Sequence, residues 1–312
     1  PPVPGDAGGT FAVTVDPAAM TVTAHVNTSG VDDATAAHLH DAYAGTNGPV
    51  MIGLTQDGGN VAHWFVEEAA LDAAGLSAIE AGRTYVNVHT PANPGGEIRG
   101  QVAPGLIDVI FAPMNGAQEV PAVTTAAEGA FAATIDRGAG VITVHVRAAG
   151  VDDATAAHVH ENYAGVNGGV VVPLEQDAGD VTHWQAIEMP LDDAGLAAYA
   201  AGRLYVNLHT PANPGGEIRG QIAPDGVQIV FADLSPDQVV PPAANAASGV
   251  VATTTDLRSR DFFAAVNTSG ADDATSSGIH VGAEGENGEE ILPLVQTDML
   301  PSQWTAMTTL EQ

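Results

Sequence analysis

AGRTYVNVHTPANPGGEIRGQV, residues 81–102, reads as two strands joined by a turn. In RTYVNVHT (83–90), Val86 and Val88 fall on one face while Tyr85, Asn87 and His89 share the other, the period of two that a strand imposes. Asn93-Pro94-Gly95-Gly96 reverses the chain: Pro presets φ, Gly reaches positive φ, and Asn bonds to its own backbone. EIRGQV (97–102) resumes the alternation, with Glu97 and Arg99 on one face across Ile98. The same text returns as AGRLYVNLHTPANPGGEIRGQI at 201–222, an offset of 120 residues.

The whole surrounding block shares that offset. VDDATAAHLH (31–40) returns as VDDATAAHVH (151–160). His25, His38, His40, His63 and His89 recur as His145, His158, His160, His183 and His209. A third copy begins and is degenerate: ADDATSSGIH (271–280) keeps His280 but has Gly278 for His38, and Gln303 and Ala265 replace His63 and His25. Repetition of this length predicts an array of similar domains. The expected boundaries are 1–104 with its first strand missing, 105–224 complete, and 225–312 truncated with a degenerate histidine site. Such open ends lead to the expectation of a longer natural chain, or of strands donated by other subunits or by copies of the chain itself.

TFAVTV (10–15) and TVTAHV (21–26) alternate in the same way, and TSGVDD, GTNGP and DGGN punctuate them. Many short strands with regular turn signals predict an all-β fold of tandem antiparallel Greek-key sandwiches, superoxide-dismutase-like or immunoglobulin-like. LDAAGLSAIEAG (71–82) predicts one short helix per repeat, with Asp72 as N-cap and Gly82 just past its end.

Thirty-eight acidic residues face eight basic ones, all Arg, for a formal charge of −30. Such a surface repels phosphates and anionic lipid, which argues against nucleic-acid partners, and no apolar run is long enough for membrane insertion. It suits salty water or contact with divalent cations. Cysteine is absent, which excludes disulfides and thiolate chemistry. Asp32–Asp33, Asp152–Asp153 and Asp272–Asp273 persist in all three copies. Turn capping is their simplest role; calcium is the alternative, although the segment offers few oxygen ligands.

In AAHLHDA, His38 and His40 share a face opposite Leu39. With the apolar face inward, His38, His40 and His89 are expected on outward or loop-facing surfaces, as are His158, His160 and His209. Two histidines at i and i+2, joined by others from neighbouring strands, could close a nitrogen site for copper or zinc. Hydrogen-bonding histidines are the equally weighted alternative. His63 and His183 are the candidate fourth ligands, although the Trp beside each (Trp64, Trp184) survives as Trp304 where the His is lost, which favours Trp as the core anchor. His25 and His145 read as ordinary exposed strand residues. Arg99 and Arg219 are either ion-paired with Glu97 and Glu217 or placed beside the histidine site.

AAHxH followed by AGRxYVNxHTPANPGGEIRGQ resembles the CHRD domain, over essentially the whole chain. The resemblance implies an extracellular all-β module, secreted, periplasmic or on the cell surface. The order His38, His40, His63, His89, Arg99 is also distantly similar to copper–zinc superoxide dismutases. That similarity implies four copper ligands and an anion-guiding Arg, repeated as His158, His160, His183, His209 and Arg219. The Cys pair and the zinc cluster of those enzymes have no counterpart here. Three functions follow: a surface binding module holding copper or zinc, a superoxide-dismutase-like copper enzyme, and a structural assembly subunit with no metal.

Overall fold

A computed structural model describes residue 3, residues 5–298 and residues 300–311. The first repeat runs β1 (Gly8–Asp16), β2 (Thr21–Ser29), β3 (Ala36–Asp41), β4 (Val50–Asp57), β5 (Asn60–Ala70), α1 (Ala73–Glu80), β6 (Thr84–His89) and β7 (Ile98–Val102). The second runs β8 (Ile107–Asn115), β9 (Glu128–Asp136), β10 (Val141–Ala149), β11 (Ala156–Glu161), β12 (Gly169–Asp177), β13 (Asp180–Pro190), α2 (Asp193–Ala200), β14 (Leu204–His209) and β15 (Ile218–Ile222). The third has β16 (Val227–Leu234), β17 (Ser248–Asp256), β18 (Asp261–Ser269), β19 (Ser277–His280), β20 (Glu290–Gln296) and β21 (Gln303–Thr309).

The fold is all-β, with Greek-key crossovers between antiparallel hairpins. The second repeat closes into a barrel ordered β10-β13-β12-β11-β14-β15-β8-β9. The first is an open sheet, β1-β2-β5-β4-β3-β6-β7, and the third is β16-β17-β18-β21-β20-β19. In space, the chain up to Val109 groups with Ala132–His145, and Ile110–Phe131 groups with Val146 onward. The compact units therefore cut across the sequence repeats. Among the described residues no helix is long and apolar enough to cross a membrane.

The alternation read from sequence places the core. Val22, Ala24, Val26, Leu39, Trp64, Val86 and Val88 form one buried cluster in the first repeat, and Ala264, Val266, Leu294 and Trp304 form another in the third. The Trp at each of the three equivalent positions is about as buried as the next: 5 %, 6 % and 6 % exposed at Trp64, Trp184 and Trp304. Helix α1 starts where Asp72 accepts a hydrogen bond from the Gly75 N–H at 2.7 Å, and Gly82 follows its end at φ 67°.

One irregularity matters for the site. β3 pairs with β4 through a bulge at Leu39/His40, and the same shift recurs at Val159/His160 and at Ile279/His280. An extra residue on the partner strand kinks the ladder and re-aims the side chain beside it.

Trp64→Ala or Trp184→Ala should cost ~3–5 kcal/mol, the usual loss for emptying a buried aromatic site. Chemical denaturation of each variant checks this.

Candidate metal centre

β3 lies between β4 and β6, and its register with β6 sets His40 opposite Tyr85, His38 opposite Asn87, and Ala36 opposite His89. Three imidazoles therefore meet on one face. Their ligand atoms lie within 4.8 Å of one another, and His158, His160 and His209 form the same group. The His38 Nδ1 is 3.0 Å from the His89 Nε2, and the His158 Nδ1 is 3.1 Å from the His209 Nε2. Two nitrogens held by one ion at the usual zinc–nitrogen length stand roughly 2.9–3.4 Å apart, so this spacing fits shared coordination.

The outer nitrogens are held by backbone. His40 Nδ1 bonds the Gly48 carbonyl at 3.0 Å, and His89 Nδ1 bonds the Pro94 carbonyl at 3.0 Å. The second copy repeats both, to Gly168 at 3.0 Å and Pro214 at 3.1 Å. A carbonyl can only accept, so each Nδ1 carries the proton and each Nε2 keeps its lone pair. The Nε2 atoms of His40 and His160 are buried and have no hydrogen-bond partner. Burial, then the proximity of the His89 and His40 imidazoles, lowers the pKa of His38. For His40, burial is again the main cause, opposed by its bond to Gly48. Burial is the first cause of the drop in His160 to about 4, and of the lowering in His158 and His209. These rings are therefore neutral at pH 7, the form that binds metals.

Of the trio, expected on outward or loop-facing surfaces, His40 and His89 face loops, while His38 and His89 are half-buried and His40 is buried. His40 and His160 are each 7 % exposed, and Tyr85 and Asn87, on the same face, are buried. A second polar layer covers that face. Arg99 donates to the Tyr43 carbonyl at 3.1 Å and to the Thr46 carbonyl, and Gln101 donates to Ala42 and Gly82 carbonyls at 2.9 Å. The Arg99 guanidinium lies 3.4 Å from the centroid of Tyr85, whose ring stacks on His40 at 4.8 Å. Arg219 repeats this on Tyr205 at 3.4 Å and is fully buried.

Neither arginine is paired with the neighbouring glutamate. Glu97 instead accepts from Thr90 Oγ1 at 2.8 Å and from Asn93, tying the turn that presents Pro94 to His89. Glu217 does the same with Thr210 and Asn213. Hydrogen bonds from Thr125, Asn213 and Thr210 hold its carboxyl below the usual range, against the effect of burial. The arginines and glutamates thus position the loops around the trio.

His63 and His183 do not join it. The His63 Nδ1 lies 3.2 Å from Asp57 Oδ2, and the His183 Nδ1 lies 3.1 Å from Asp177 Oδ2. The reason is strand order: β4 separates β5 from β3, so two strand spacings, about 9–10 Å, intervene. His25 and His145 are also not plain exposed residues. The His25 Nδ1 is 3.2 Å from the His63 Nε2, with the two rings parallel, and His145 is only 4 % exposed.

The CHRD domain matches residues 1–102, 110–222 and 230–311. The chain belongs to the CHRD domain family. No curated protein and no solved structure matches it. As a chain of tandem CHRD repeats it is a binding or structural protein. The third CHRD repeat separates two roles of its histidines: His280 keeps the bond to the Gly288 carbonyl at 3.1 Å although Gly278 stands where the partner His was. Bracing that loop is therefore independent of the trio.

Sequence reading missed Glu119, whose counterpart in the third repeat is Val239. It is 5 % exposed, its Oε1 has no partner, and Asn207 donates to Oε2 at 3.4 Å. Burial raises its carboxyl to about 8, with Arg219 and Asn207 opposing. The folded chain therefore holds a proton that the unfolded chain loses above pH ~4.5. This contribution is fully present below that pH and is lost as pH rises through about 8. Glu119→Gln should flatten the decline, whose slope is at most ~1.4 kcal/mol per pH unit. Unfolding free energies measured from pH 5 to pH 8.5 check it.

Proposed function

We propose that this chain is an extracellular CHRD-repeat binding protein whose first two repeats each hold one copper or zinc ion on three histidines. The ligands are His38, His40 and His89 in the first repeat, and His158, His160 and His209 in the second. The observation that carries this reading is the buried, unpartnered Nε2 of His40 and His160, beside His89 and His209, whose Nδ1 atoms, like those of His40 and His160, are already fixed by carbonyls. An imidazole-only donor set favours copper or zinc over calcium, which takes oxygen ligands. A bound copper would supply a redox-active centre, and a bound zinc a Lewis acid. The chain's own residues orient the rings and cover their inner side. The charge of −30 suits salty surroundings, and the placement outside the cell rests on membership of the CHRD family.

A superoxide-dismutase-like activity has less support. Arg99 and Arg219 direct their terminal NH1 and NH2 groups to loop carbonyls and to Gln101 and Gln221, and the buried Arg219 Nε is left without a partner. A metal-free structural role has one observation in its favour, the loop-bracing bond that His280 retains.

Metal titration of the metal-free chain, followed by dialysis and elemental analysis, decides between these readings. Two ions per chain are expected, one for His38→Ala or His158→Ala, and none for the double variant. His38 is the residue to change because His40 also braces a loop. Absence of tight binding, or stoichiometry indifferent to both substitutions, would leave the structural reading.

A further inference from the structure

The loop after β3 has a second side, and it makes the same contact twice within the chain. In the second repeat, Tyr163-Ala164-Gly165-Val166 packs on the outer face of the β17–β18 hairpin and β21. The Gly165 carbonyl accepts from Asn267 Nδ2 at 2.9 Å and from Gln303 Nε2 at 3.0 Å, and Tyr163 stacks on Phe263 at 4.3 Å. A Cβ at Gly165 would stand 2.9 Å from the Cβ atoms of both Ala252 and Ala265, so only glycine approaches this closely. In the first repeat, Gly45 packs likewise: its Cβ would stand 2.9 Å from His145 Cβ and 3.0 Å from Ala132 Cβ.

Each contact joins a loop to a seat, and both parts occur three times. The third loop, Ala283-Glu284-Gly285-Glu286, keeps the shape of the other two. Gly285 has φ 81°, against 90° at Gly45 and 81° at Gly165. The Glu286 N–H closes the turn on the Ala283 carbonyl at 3.0 Å, as Thr46 and Val166 do on Tyr43 and Tyr163 at 3.3 and 3.1 Å. Yet every residue from Val281 to Glu290 is exposed, and a Cβ at Gly285 would meet nothing within 4 Å.

The first seat is bare in the complementary way. Ala12, paired across the hairpin with His25, is exposed, whereas its counterparts Ala132 and Ala252 are 3 % and 1 % exposed. The Asn donor is also present, and His63, held by Asp57 and His25, stands at the Gln303 position. Asn27 and His63 face one another across β2 and β5, in the register that Asn267 and Gln303 occupy across β18 and β21.

We propose that chains associate head to tail, with the 283–286 loop of one copy seated on the Ala12–His25 face of the next. Asn27 then donates to the Gly285 carbonyl, as Asn267 does to Gly165. The occupant is a second copy because this chain itself carries one unseated loop and one bare seat of matching form. Such a contact joins two different surfaces, so it propagates into an open chain or a ring. The loop lacks the Tyr of the other two, and copies charged at −30 repel one another, so association needs high salt.

Sedimentation of the full chain in 2 M NaCl over a range of concentrations tests this. The mass should grow in steps of one chain. Ala12→Tyr fills the seat at an exposed position, and Gly285→Asn adds a Cβ to the loop while tolerating positive φ; each variant alone should remain a monomer. Mixed in equal amounts they should form dimers and nothing larger, since one retains the loop and the other the seat. A wild-type chain that stays monomeric, association unaffected by either variant, or a mixture that fails to dimerise would each overturn the proposal.

Discussion

The loop after each histidine strand is the constraint on which most of the structure turns. Its backbone is fixed from three directions. His40 bonds the Gly48 carbonyl, the Tyr85 hydroxyl takes the Gly48 N–H at 3.2 Å, and Arg99 grips the Tyr43 and Thr46 carbonyls. A loop of this length left to itself would lose much of its backbone order to entropy. Held in this way, it does two things. Its inner side decides which nitrogen of His40 carries a proton. Its outer tip presents a glycine that can approach another sheet to contact distance.

The layered stack of imidazole, phenol and guanidinium ties those two sides together. Tyr85 lies against His40 and under Arg99, and the second repeat builds the same stack with Tyr205 and Arg219. Burying a guanidinium is costly, and here carbonyls and an aromatic face offset that cost in place of a carboxylate. Burial lowers the pKa of Arg219 to about 10, so it stays charged at neutral pH. That fixed positive charge adds to the pressure keeping His160 neutral.

Much of this was legible in the sequence. Period-two alternation located the strands and the core face, the Asp72 and Gly82 signals bounded the helix, and survival of Trp304 without its His identified the core anchors. The convergence of His38, His40 and His89 could be read as a candidate because i and i+2 spacing on one strand needs no tertiary knowledge. What could not be read was strand order. His63 follows its strand's place beyond β4, and nothing local to His63 reveals that. The burial of the histidine face was hidden for a similar reason. Alternation marks one face as apolar, but whether the polar face is then covered depends on Arg99, Gln101 and the loop, which arrive from elsewhere in the chain. Glu119 belongs to this class as well: its burial comes from residues around position 207, far along the sequence.

The central claim is that His40 and His160 are held as the Nδ1-protonated tautomer, with a free Nε2 lone pair facing two other imidazoles. Long-range proton–nitrogen correlation spectra of the histidine rings read this directly, before and after one equivalent of zinc per site. The account predicts Nδ1-protonated patterns for these two rings in the metal-free chain. It further predicts that zinc displaces the Nε2 resonances of His40, His89, His160 and His209, and leaves His63 and His280 where they were. An Nε2-protonated His40, or spectra that zinc does not change, would contradict it.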